Sequence, residues 1–459
     1  MSDRATNQSL TGPTLNQTST RRAVLNTVKG SAGNLVEWYD VYVYTVFATY
    51  FEAQFFDPDD ANSTLYIYAI FAVTFVMRPV GAWFFGRFAD RRGRKAALML
   101  SITVMSSCSF LVAIMPTREV IGYWAAVILI LARLVQGFAT GGEYGTSATY
   151  MSEAATAHRR GFLSSFQYVT LVGGHVLAQF TLLIALSVLD VEALRDWGWR
   201  IGFFIGGIAA LVVLWIRRTM DESLSETHLK AIREGKDTDA GSMRALFATH
   251  WRSLLLVFLI TAGGTVAFYT YSVNAPSIVK STFGADRALT ATWINLVGLI
   301  FLLVLQPIGG LISDKVGRKP LLIFFGVGGV IYTYILLTFL PQTTSPIAAF
   351  ALTAVGYVIL TGYTSVNAIV KAELFPAEFR ALGVGLGYAL ANSAFGGTAP
   401  LLFQAAKSSG RAGTFIIYVT AVIGVSLLVY IFKLRNKGVT ELDREQGSAW
   451  AVPASSATR

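Results

Sequence analysis

Charge and cysteine are both scarce in this sequence. Only 14% of its 459 residues are charged, against about 25% in ordinary soluble domains, while 54% are apolar. This balance excludes a conventional soluble enzyme. The single cysteine, Cys108, lies inside an apolar segment and has no partner within the chain. An intrachain disulfide and a thiolate zinc site are therefore excluded, and we expect no bound metal.

Long polar segments are few as well. Residues 1–28 are polar, contain Arg21 and Arg22, and have no small-residue cleavage site after a short apolar run, so they are predicted to be a retained cytoplasmic tail. Residues 217–251 form the only long polar segment between apolar blocks, and we predict a cytoplasmic linker there. Residues 434–459 are polar, with Ala and Ser near the end, and are expected to be a disordered cytoplasmic tail.

What remains is a series of twelve apolar blocks, each about 20 residues long, the length that crosses roughly 30 Å of hydrocarbon as a helix. Six blocks precede the linker and six follow it, which predicts bundles at 29–216 and 252–433. The predicted spans lie near 30–54, 64–86, 96–115, 121–150, 162–188, 198–216, 253–277, 288–312, 321–340, 346–370, 381–404 and 413–432.

Lys and Arg are distributed unequally between the predicted loops. With the N-terminus placed inside and the chain alternating, 28 of the 37 basic residues fall in inside segments. Because cytoplasmic loops carry an excess of Lys and Arg, both termini are predicted to be cytoplasmic, in the plasma (inner) membrane. The formal charge of +10 then reflects basic loops held at the anionic inner leaflet, and no nucleic-acid partner is expected.

One loop motif occurs twice in the chain. Residues 86–95 (GRFADRRGRK) and 310–319 (GLISDKVGRK) share the same spacing of glycine, aspartate, glycine and two basic residues. A second repeated pair follows the fourth and tenth spans, Glu153 with Arg160 and Glu373 with Arg380. The repeats predict an all-α polytopic membrane protein whose 12 transmembrane helices form two pseudo-symmetric six-helix bundles.

The repeated motif predicts a gate at the cytoplasmic face. Its glycines allow close helix contact, its aspartates can accept charge-assisted hydrogen bonds from an arginine or a helix N-terminus, and Arg94 can pair with a carboxylate such as Glu153. Such pairs must break if the two halves rock apart. The alternative is that these loops only direct membrane insertion. The predicted gate residues are Gly86, Asp90, Arg91, Arg94, Glu153, Arg160, Gly310, Asp314, Arg318, Glu373 and Arg380.

The doubled motif and the run RLVQG at 133–137 resemble the major facilitator superfamily over residues 28–435. Further segments are similar to its metabolite:proton symporter family, and most to the branch of the alpha-ketoglutarate permeases. These segments are GNLVEWYD at 33–40, MRPVG at 77–81, GGEYG at 141–145, SATYMSE at 147–153, SFQYVTLVGG at 165–174, WGWR at 197–200 and KAELFP at 371–376. His175 stands where that branch is expected to have glutamine, and we assign it no role.

The resemblance implies a secondary active transporter that couples uptake of a small di- or tricarboxylate, 2-oxoglutarate first, to proton entry by alternating access. Its partners would be a small organic anion, protons and membrane lipid, and it would function as a monomer. The proton gradient would supply the energy, so no cofactor is expected. The glycine clusters of spans nine and eleven lack the lysine of a phosphate loop, which argues against ATP. Symport of a zwitterionic osmolyte, betaine or proline, or of another carboxylate is the alternative.

Ionisable side chains inside the spans indicate the transport site, because each costs about 2.5 to 3.5 kcal/mol in hydrocarbon. Carboxylates can take up the coupled proton, and guanidinium groups can hold a substrate carboxylate by two parallel hydrogen bonds. The predicted proton-coupling residues are Glu37, Asp40 and Glu143, and the predicted substrate-binding residues are Arg78, Arg133, Tyr44, Gln136 and Gln167.

Each of these assignments has an alternative. Arg78, which precedes Pro79, could bond carbonyl groups freed at a kink, and Glu37 or Asp40 could be a fixed ion-pair partner that holds one bundle together. A proton-coupled exporter of amphipathic cations would suit the 13% aromatic content, but arginines within the spans oppose cationic cargo. A membrane sensor would need an extramembrane domain, which the sequence does not show.

Overall fold

The computed structural model describes residues 20–57, 63–220, 241–284, 287–436 and 440–446, together with Glu222, Lys230 and Glu234. Within these residues all regular structure is helical. Most of the predicted N-terminal tail, of the linker after residue 220 and of the C-terminal tail after residue 446 lies outside the described residues.

Twelve membrane-length helical units follow one another along the described chain, close to the twelve predicted spans. They are α1 (Thr20–Phe55), α2 (Ser63–Val76 and Arg78–Arg92), α3 (Arg94–Ile114), α4 (Trp124–Ala154), α5 (Arg160–Val188), α6 (Trp199–Arg217), α7 (Trp251–Tyr269 and Ala275–Phe283), α8 (Ala288–Val316), α9 (Arg318–Phe339), α10 (Pro346–Thr364 and Asn367–Ala372), α11 (Arg380–Ala391 and Thr398–Ser408) and α12 (Ala412–Phe432).

Ten of these units are long and apolar enough to cross a membrane by length and composition alone. The other two are α1 and α11. The first carries Glu37 and Asp40 within its span, and the second is divided into two shorter helices. Both units can still cross a membrane, because their polar side chains are buried against other helices and do not face outward. Glu37 and Asn392, for example, have no exposed surface.

The twelve units pack as two six-helix bundles, which confirms the predicted fold class. Within the first bundle α1 packs on α4, α5 and α6, and α3 packs on α4 and α6. Within the second, α7 packs on α11 and α12, while α10 packs on α8 and α9. The main contacts between the bundles are α5 with α8 and α2 with α11. The two contacts are equivalent, because α5 of the first bundle corresponds to α11 of the second and α2 corresponds to α8. This is expected of a chain built from two parallel repeats.

Glycines of the repeated motif occupy equivalent places in the two bundles. Gly93 between α2 and α3 and Gly317 between α8 and α9 have φ of 102° and 96°, a backbone region that favours glycine. Gly86 and Gly310 permit contact between the bundles. A Cβ on Gly86 would lie 2.8 Å from the Cα of Leu382, and one on Gly310 would lie 2.6 Å from a backbone oxygen of the first bundle.

Several units are interrupted near their middle. The helix of α2 is broken at Met77, just before the Arg78–Pro79 pair. In α7 and α11 the two helices are joined by π-turns at Thr270–Asn274 and Asn392–Gly396. Such turns add a residue to the helical repeat and are frequent at functional sites. No composition or spacing signal in the sequence had indicated them.

The two polar segments are shorter than predicted where the structure describes them. Arg217, predicted to begin the linker, is the last residue of α6 and is fully buried, and a helix at Met243–Thr249 precedes α7. The C-terminal tail is not disordered throughout, because Glu441–Gln446 is a helix whose Leu442 is buried. The polar composition of this segment gave no indication that it packs against the bundles, because its contacts are made by one leucine and two acidic side chains.

Candidate functional site

A group of buried polar side chains without hydrogen bonds lies where the two bundles meet. The unpaired atoms include both carboxylate oxygens of Glu37, the hydroxyl groups of Tyr42 and Tyr269, Nε and Nη2 of Arg78, Nδ1 of His175 and the side-chain amide of Asn392. Buried polar groups in proteins are nearly always hydrogen-bonded, so such a group needs an explanation. Tyr388 of the second bundle lies close to Tyr42, Tyr269 and Arg78. We call Glu37, Tyr42, Arg78, His175, Tyr269, Tyr388 and Asn392 the central cluster.

Arg78 is positioned by the break in α2, as the first residue of the second helix of that unit. Its guanidinium lies 3.7 Å from the ring centroid of Phe75 and 5.3 Å from that of Trp38. Tyr269 of the second bundle lies beside it, in a geometry that leaves the hydroxyl without a hydrogen bond. Arg78 therefore presents a positive charge, backed by aromatic faces, to the space between the bundles.

Glu37 of α1 is the acidic member of the cluster. It is fully buried, and Arg78 is one of the cations close enough to act on its charge. An ionised carboxylate that is buried without hydrogen bonds carries a large free-energy cost, which binding a proton removes. Of the three predicted proton-coupling residues, Glu37 alone has both carboxylate oxygens unpaired in the described part of the chain.

His175 and Tyr42 were not among the predicted site residues. Their rings are stacked, with centroids 3.7 Å apart and an interplanar angle of 4°. Tyr42 lies near Arg78, Tyr269 and Tyr388, which places the stacked pair against the central cluster. Glu37 and Arg78 of this cluster were predicted from the sequence, but for the stacked pair itself the only sequence signal was the departure from glutamine at position 175.

Asp40 and Arg133 belong to a separate network inside the first bundle. Arg133 Nη1 lies 3.3 Å from Asp40 Oδ2 and donates to Gln136 Oε1 at 2.6 Å, while Gln136 Nε2 donates to Asp40 at 2.8 Å. Ser109, next to the buried Cys108, also donates to Asp40. The ring of Tyr44 lies 4.1 Å from the Arg133 guanidinium. These four predicted site residues thus bind one another.

Glu143 joins neither group. It forms an ion pair with Arg217 and accepts a hydrogen bond of 2.6 Å from Ser101. Gly33 of α1 leaves the space that the Arg217 guanidinium occupies, because a Cβ there would overlap it. Arg217 was predicted to lie in the linker because of its charge, and the sequence could not show which helix supplies the counter-charge to Glu143.

Gln167, the remaining predicted substrate ligand, is part of a third network. It accepts a hydrogen bond from Ser147 Oγ at 2.7 Å and donates to Asn34 Oδ1 at 3.0 Å. Asn34 in turn accepts from Trp38 Nε1 and donates to Thr170. All of these side chains belong to the first bundle, so this network ties α1, α4 and α5 together.

The predicted gate residues of the first motif lie in a buried ion-pair network that links the bundles. Asp90 pairs with Arg94 and accepts from the backbone N–H of Leu382, near the N-terminus of α11, at 3.1 Å. Glu153 lies 3.3 Å from Arg94 and 2.9 Å from Arg380 of α11. We call the membrane face that carries this network and its repeat the motif face.

The second motif makes the equivalent contact at the other interface between the bundles. Asp314 accepts hydrogen bonds from the backbone N–H groups of Gly161 and Phe162, at the N-terminus of α5, at 2.7 and 2.9 Å. Arg318 bonds Asp314 at 3.0 Å and lies 3.6 Å from Glu373. Burial raises the pKa of the Glu373 carboxyl, and the charge of Arg318 opposes that rise. Each motif therefore binds a helix N-terminus of the opposite bundle.

The helix Glu441–Gln446 adds acidic partners that sequence analysis missed. Asp443 pairs with Arg160 of the first bundle at 2.6 Å, and Glu445 pairs with Arg380 of the second at 2.7 Å. Glu445 also accepts from the backbone N–H of Ala377 at 2.9 Å. This tail helix contacts both bundles at the motif face. The remaining predicted gate residue, Arg91, lies in the last turn of α2 on the same face.

A carrier must hold a solute inside the membrane and release it on one side. Unpaired charges between two related bundles can hold the solute, and an ion-pair network can close one face. The molecule is therefore a polytopic membrane transporter with the major facilitator fold. The chain belongs to the family described as Sugar (and other) transporter, which matches residues 25–443. This confirms the superfamily that the repeated motif had indicated.

Similar proteins support this assignment. The chain is 43% identical over 425 residues to the alpha-ketoglutarate permease of Escherichia coli strain K12, covering 92% of this chain and 96% of that protein. It is 30% identical over 385 residues to the citrate-proton symporter of Klebsiella pneumoniae, covering 82% and 83%. Its fold matches the proton:xylose symporter XylE of E. coli with a TM-score of 0.77 and 19% identity, over 93% of this chain and 99% of that one. These relatives are transporters rather than enzymes.

Proposed function

We propose that this protein takes up a small dicarboxylate, 2-oxoglutarate first, together with protons, by alternating access. The observation that carries the proposal is the presence of Arg78 and Glu37 in one cluster, both without an ion-pair partner in the described chain. One is a buried cation and the other a buried acid, and their cluster lies between the bundles. The names of the relatives, a permease for alpha-ketoglutarate and a symporter for citrate with protons, support the same substrate class.

Arg78 is the proposed ligand of one substrate carboxylate. A guanidinium can hold a carboxylate by two parallel hydrogen bonds, and the free Nε and Nη2 of Arg78 are the donors that such a contact needs. Arg133 is less suited to this role in the conformation described, because its guanidinium is already bound to Asp40 and Gln136. The hydroxyl and amide groups of Tyr269 and Asn392 provide further donors from the second bundle.

Glu37 is the proposed proton site. Entry of a dianion against an inside-negative potential costs about 2.3 kcal/mol per charge per 100 mV, and cotransport of two protons cancels that cost. A proton on Glu37 leaves the charge of Arg78 free for the substrate. When the proton leaves, the carboxylate competes with the substrate for Arg78, so release of both is coupled.

The motif-face network is the proposed cytoplasmic gate. Its buried ion pairs and the two motif aspartates hold the bundles together on that face. Binding of substrate and proton between the bundles would allow these contacts to separate, so that the bundles rock about the two interfaces. With the basic loops on the same face, the proposal places this face and both termini in the cytoplasm.

The protein is proposed to act as a monomer in the inner membrane, surrounded by lipid. Large apolar side chains such as Trp215, Ile347 and Ile417 are exposed on its surface, as a lipid-facing surface requires. No cofactor is assigned, since the proton gradient supplies the energy in this scheme.

The direct test is uptake of labelled 2-oxoglutarate into proteoliposomes with an imposed pH gradient, acid outside. We expect accumulation that a protonophore abolishes, and competition by 2-oxoglutarate that exceeds competition by citrate, betaine or proline. Uptake that ignores the gradient would exclude symport. Stronger competition by betaine or proline would exclude the carboxylate assignment.

The proton site is tested with Glu37→Gln, and Glu52→Gln in the same helix serves as the matched control. Glu37→Gln should lose gradient-driven accumulation but retain exchange of internal for external substrate, because exchange needs no net proton movement. The control should keep both activities. Gradient-driven accumulation by Glu37→Gln would remove Glu37 from the mechanism.

A further inference from the structure

Lys371 is a buried cation in the second bundle that forms no ion pair with the described residues. It lies in the short helix Asn367–Ala372 that ends α10 and has no exposed surface. Its Nζ lies 3.2 Å from the hydroxyl of Tyr144, and 4.3 and 5.0 Å from the ring centroids of Tyr388 and Tyr144. One hydroxyl and two aromatic faces thus surround an ammonium group that has no counter-ion there.

The contrast with the other buried cations makes this arrangement informative. Seven Lys or Arg side chains are buried among the described residues, and five of them form ion pairs with Asp or Glu. The exceptions are Arg78 in the first bundle and Lys371 in the second. Unpaired buried charges are strongly destabilising, and aromatic faces compensate only part of that cost. Each bundle therefore keeps one buried basic side chain that has no carboxylate partner among the described residues.

Tyr388 connects the two unpaired cations. Its ring lies beside the ammonium of Lys371, and its hydroxyl is close enough to Arg78 and Glu37 for their charges to act on it. Its ring also stacks on that of Tyr144 across the bundle interface, with centroids 3.5 Å apart. Lys371 thus contacts a member of the central cluster, on the side nearer the motif face.

We infer that Lys371 is the carboxylate ligand of the second bundle, and that a dicarboxylate bridges Arg78 and Lys371 when the Tyr144–Tyr388 stack opens. This rests on the proposed function, and it specifies the substrate class. Two cations in separate bundles match a solute with an anionic group at each end. A monocarboxylate or a zwitterion would leave one of the two cations without a counter-ion.

The bridge also accounts for how the substrate can drive the conformational change. A ligand shifts a conformational equilibrium only by its differential affinity for the two states. A solute whose charge is balanced by Arg78 alone forms its ion pair within one bundle, and that ion pair gains nothing when the bundles rearrange. A solute held by both cations binds best in the state in which the two bundles face it together.

The test compares 2-oxoglutarate with 2-oxopentanoate, which has the same chain length and a single carboxylate. Lys371→Gln should raise KM for 2-oxoglutarate by about tenfold or more and remove the preference for the dicarboxylate, while proton dependence is kept. Lys371→Arg should restore the preference. Lys433→Gln, which removes an exposed lysine at the end of α12, is the matched control and should change nothing. Retained preference in Lys371→Gln would overturn the inference.

Thermal unfolding gives a second, independent readout. Lys371→Met removes an unpaired buried charge, so the ligand-free variant should unfold at a higher temperature than the unaltered protein, yet the same concentration of 2-oxoglutarate should stabilise it less. A merely structural lysine would give a lower unfolding temperature and an unchanged response to ligand. If the unaltered protein neither binds nor transports 2-oxoglutarate, the proposed function fails; if it does both and the Lys371 variants match it, only the role of Lys371 fails.

Discussion

At the scale of single residues, hydrogen-bond partners separate the charged side chains of this protein into two kinds. Arg133 and Glu143 have their charges satisfied by Asp40 and Arg217 within the first bundle, so their removal should affect stability first. Arg78, Glu37 and Lys371 are unpaired between the bundles, so their removal should affect transport first. All of these residues were visible in the sequence as charges in or beside apolar blocks.

A comparison of two arginines tests this division. Arg133→Gln leaves Asp40 as an unpaired buried acid and should destabilise the protein by about 3 to 5 kcal/mol. Arg78→Gln breaks no ion pair and removes an unpaired buried charge, so it should not lower stability, while it abolishes uptake of 2-oxoglutarate. Unfolding in detergent and uptake in proteoliposomes measure the two effects. Adding Asp40→Asn to Arg133→Gln should recover part of the lost stability, and no recovery would contradict the assigned pairing.

His175 provides a residue-scale prediction of the opposite kind. Its ring stacks on Tyr42 and its Nδ1 has no partner, whereas the proposed proton site is Glu37. His175→Gln should therefore keep proton-driven accumulation and the pH dependence of uptake, with at most a modest change in KM from the lost stacking. A shift of the pH profile would show that the imidazole takes part in proton transfer.

At the scale of helices, the contacts between bundles depend on small residues and on helix ends. Gly86 and Gly310 allow the approach of α11 and α5, and the motif aspartates bind the N-termini of the same two helices. The sequence indicated both features, because the repeat gave the glycines and aspartates matching positions. It could not indicate the π-turns of α7 and α11 or the docked tail helix, since neither has a composition that differs from an ordinary span or a polar tail.

The close approach at Gly310 is open to direct test. A Cβ there would lie 2.6 Å from the backbone oxygen of Gly161, so Gly310→Ala requires α8 and α5 to move apart. We expect uptake to fall by about tenfold with little loss of fold, because the added methyl group opposes closure of the motif face. Gly424→Ala in α12 is the control, since nothing lies within 4 Å of a Cβ at that position. Equal uptake by both variants would show that closure tolerates the wider spacing.

The tail helix supports a second prediction at this scale. Asp443→Asn with Glu445→Gln removes ion pairs to both bundles, so the motif face should open more often. A cysteine placed at Ala148, buried in α4 on that side, should then be alkylated several times faster. Glu441→Gln is the matched control, because within the described part of the chain the Glu441 carboxylate forms an ion pair only with Arg444 of its own helix. An unchanged alkylation rate would show that the tail does not hold the face closed.

At the scale of the whole molecule, ligand binding should be visible as stabilisation, because the substrate joins two bundles that otherwise meet across unpaired charges. At a concentration of 100 times Kd, a ligand adds about 2.7 kcal/mol to the stability of the folded protein. We expect 2-oxoglutarate to raise the unfolding temperature more than citrate, betaine or proline, and Arg78→Gln to abolish that response. A larger response to a zwitterion would favour an osmolyte carrier.

Twelve spans, two repeats and the positions of most charged side chains could be predicted from the sequence, because hydropathy and spacing are properties of one segment at a time. Which charges pair could not. Arg217 and Lys371 were counted with the loops because basic residues usually lie there. Arg133 and Glu143 lie in one predicted span, but their partners come from α1 and α6. Pairing depends on helix neighbours, and only the assembled structure specifies these.

The burial of Cys108 has a practical consequence for following these motions. Because the native thiol lies inside α3, replacing it with serine is a small change that leaves a background without any reactive sulfur. Pairs of spin labels can then be attached at chosen sites, one on each half, and their separation measured by pulsed paramagnetic resonance in lipid. The breadth and number of the resulting distance distributions would report how many conformers the carrier visits, and how acidification or added solute redistributes them.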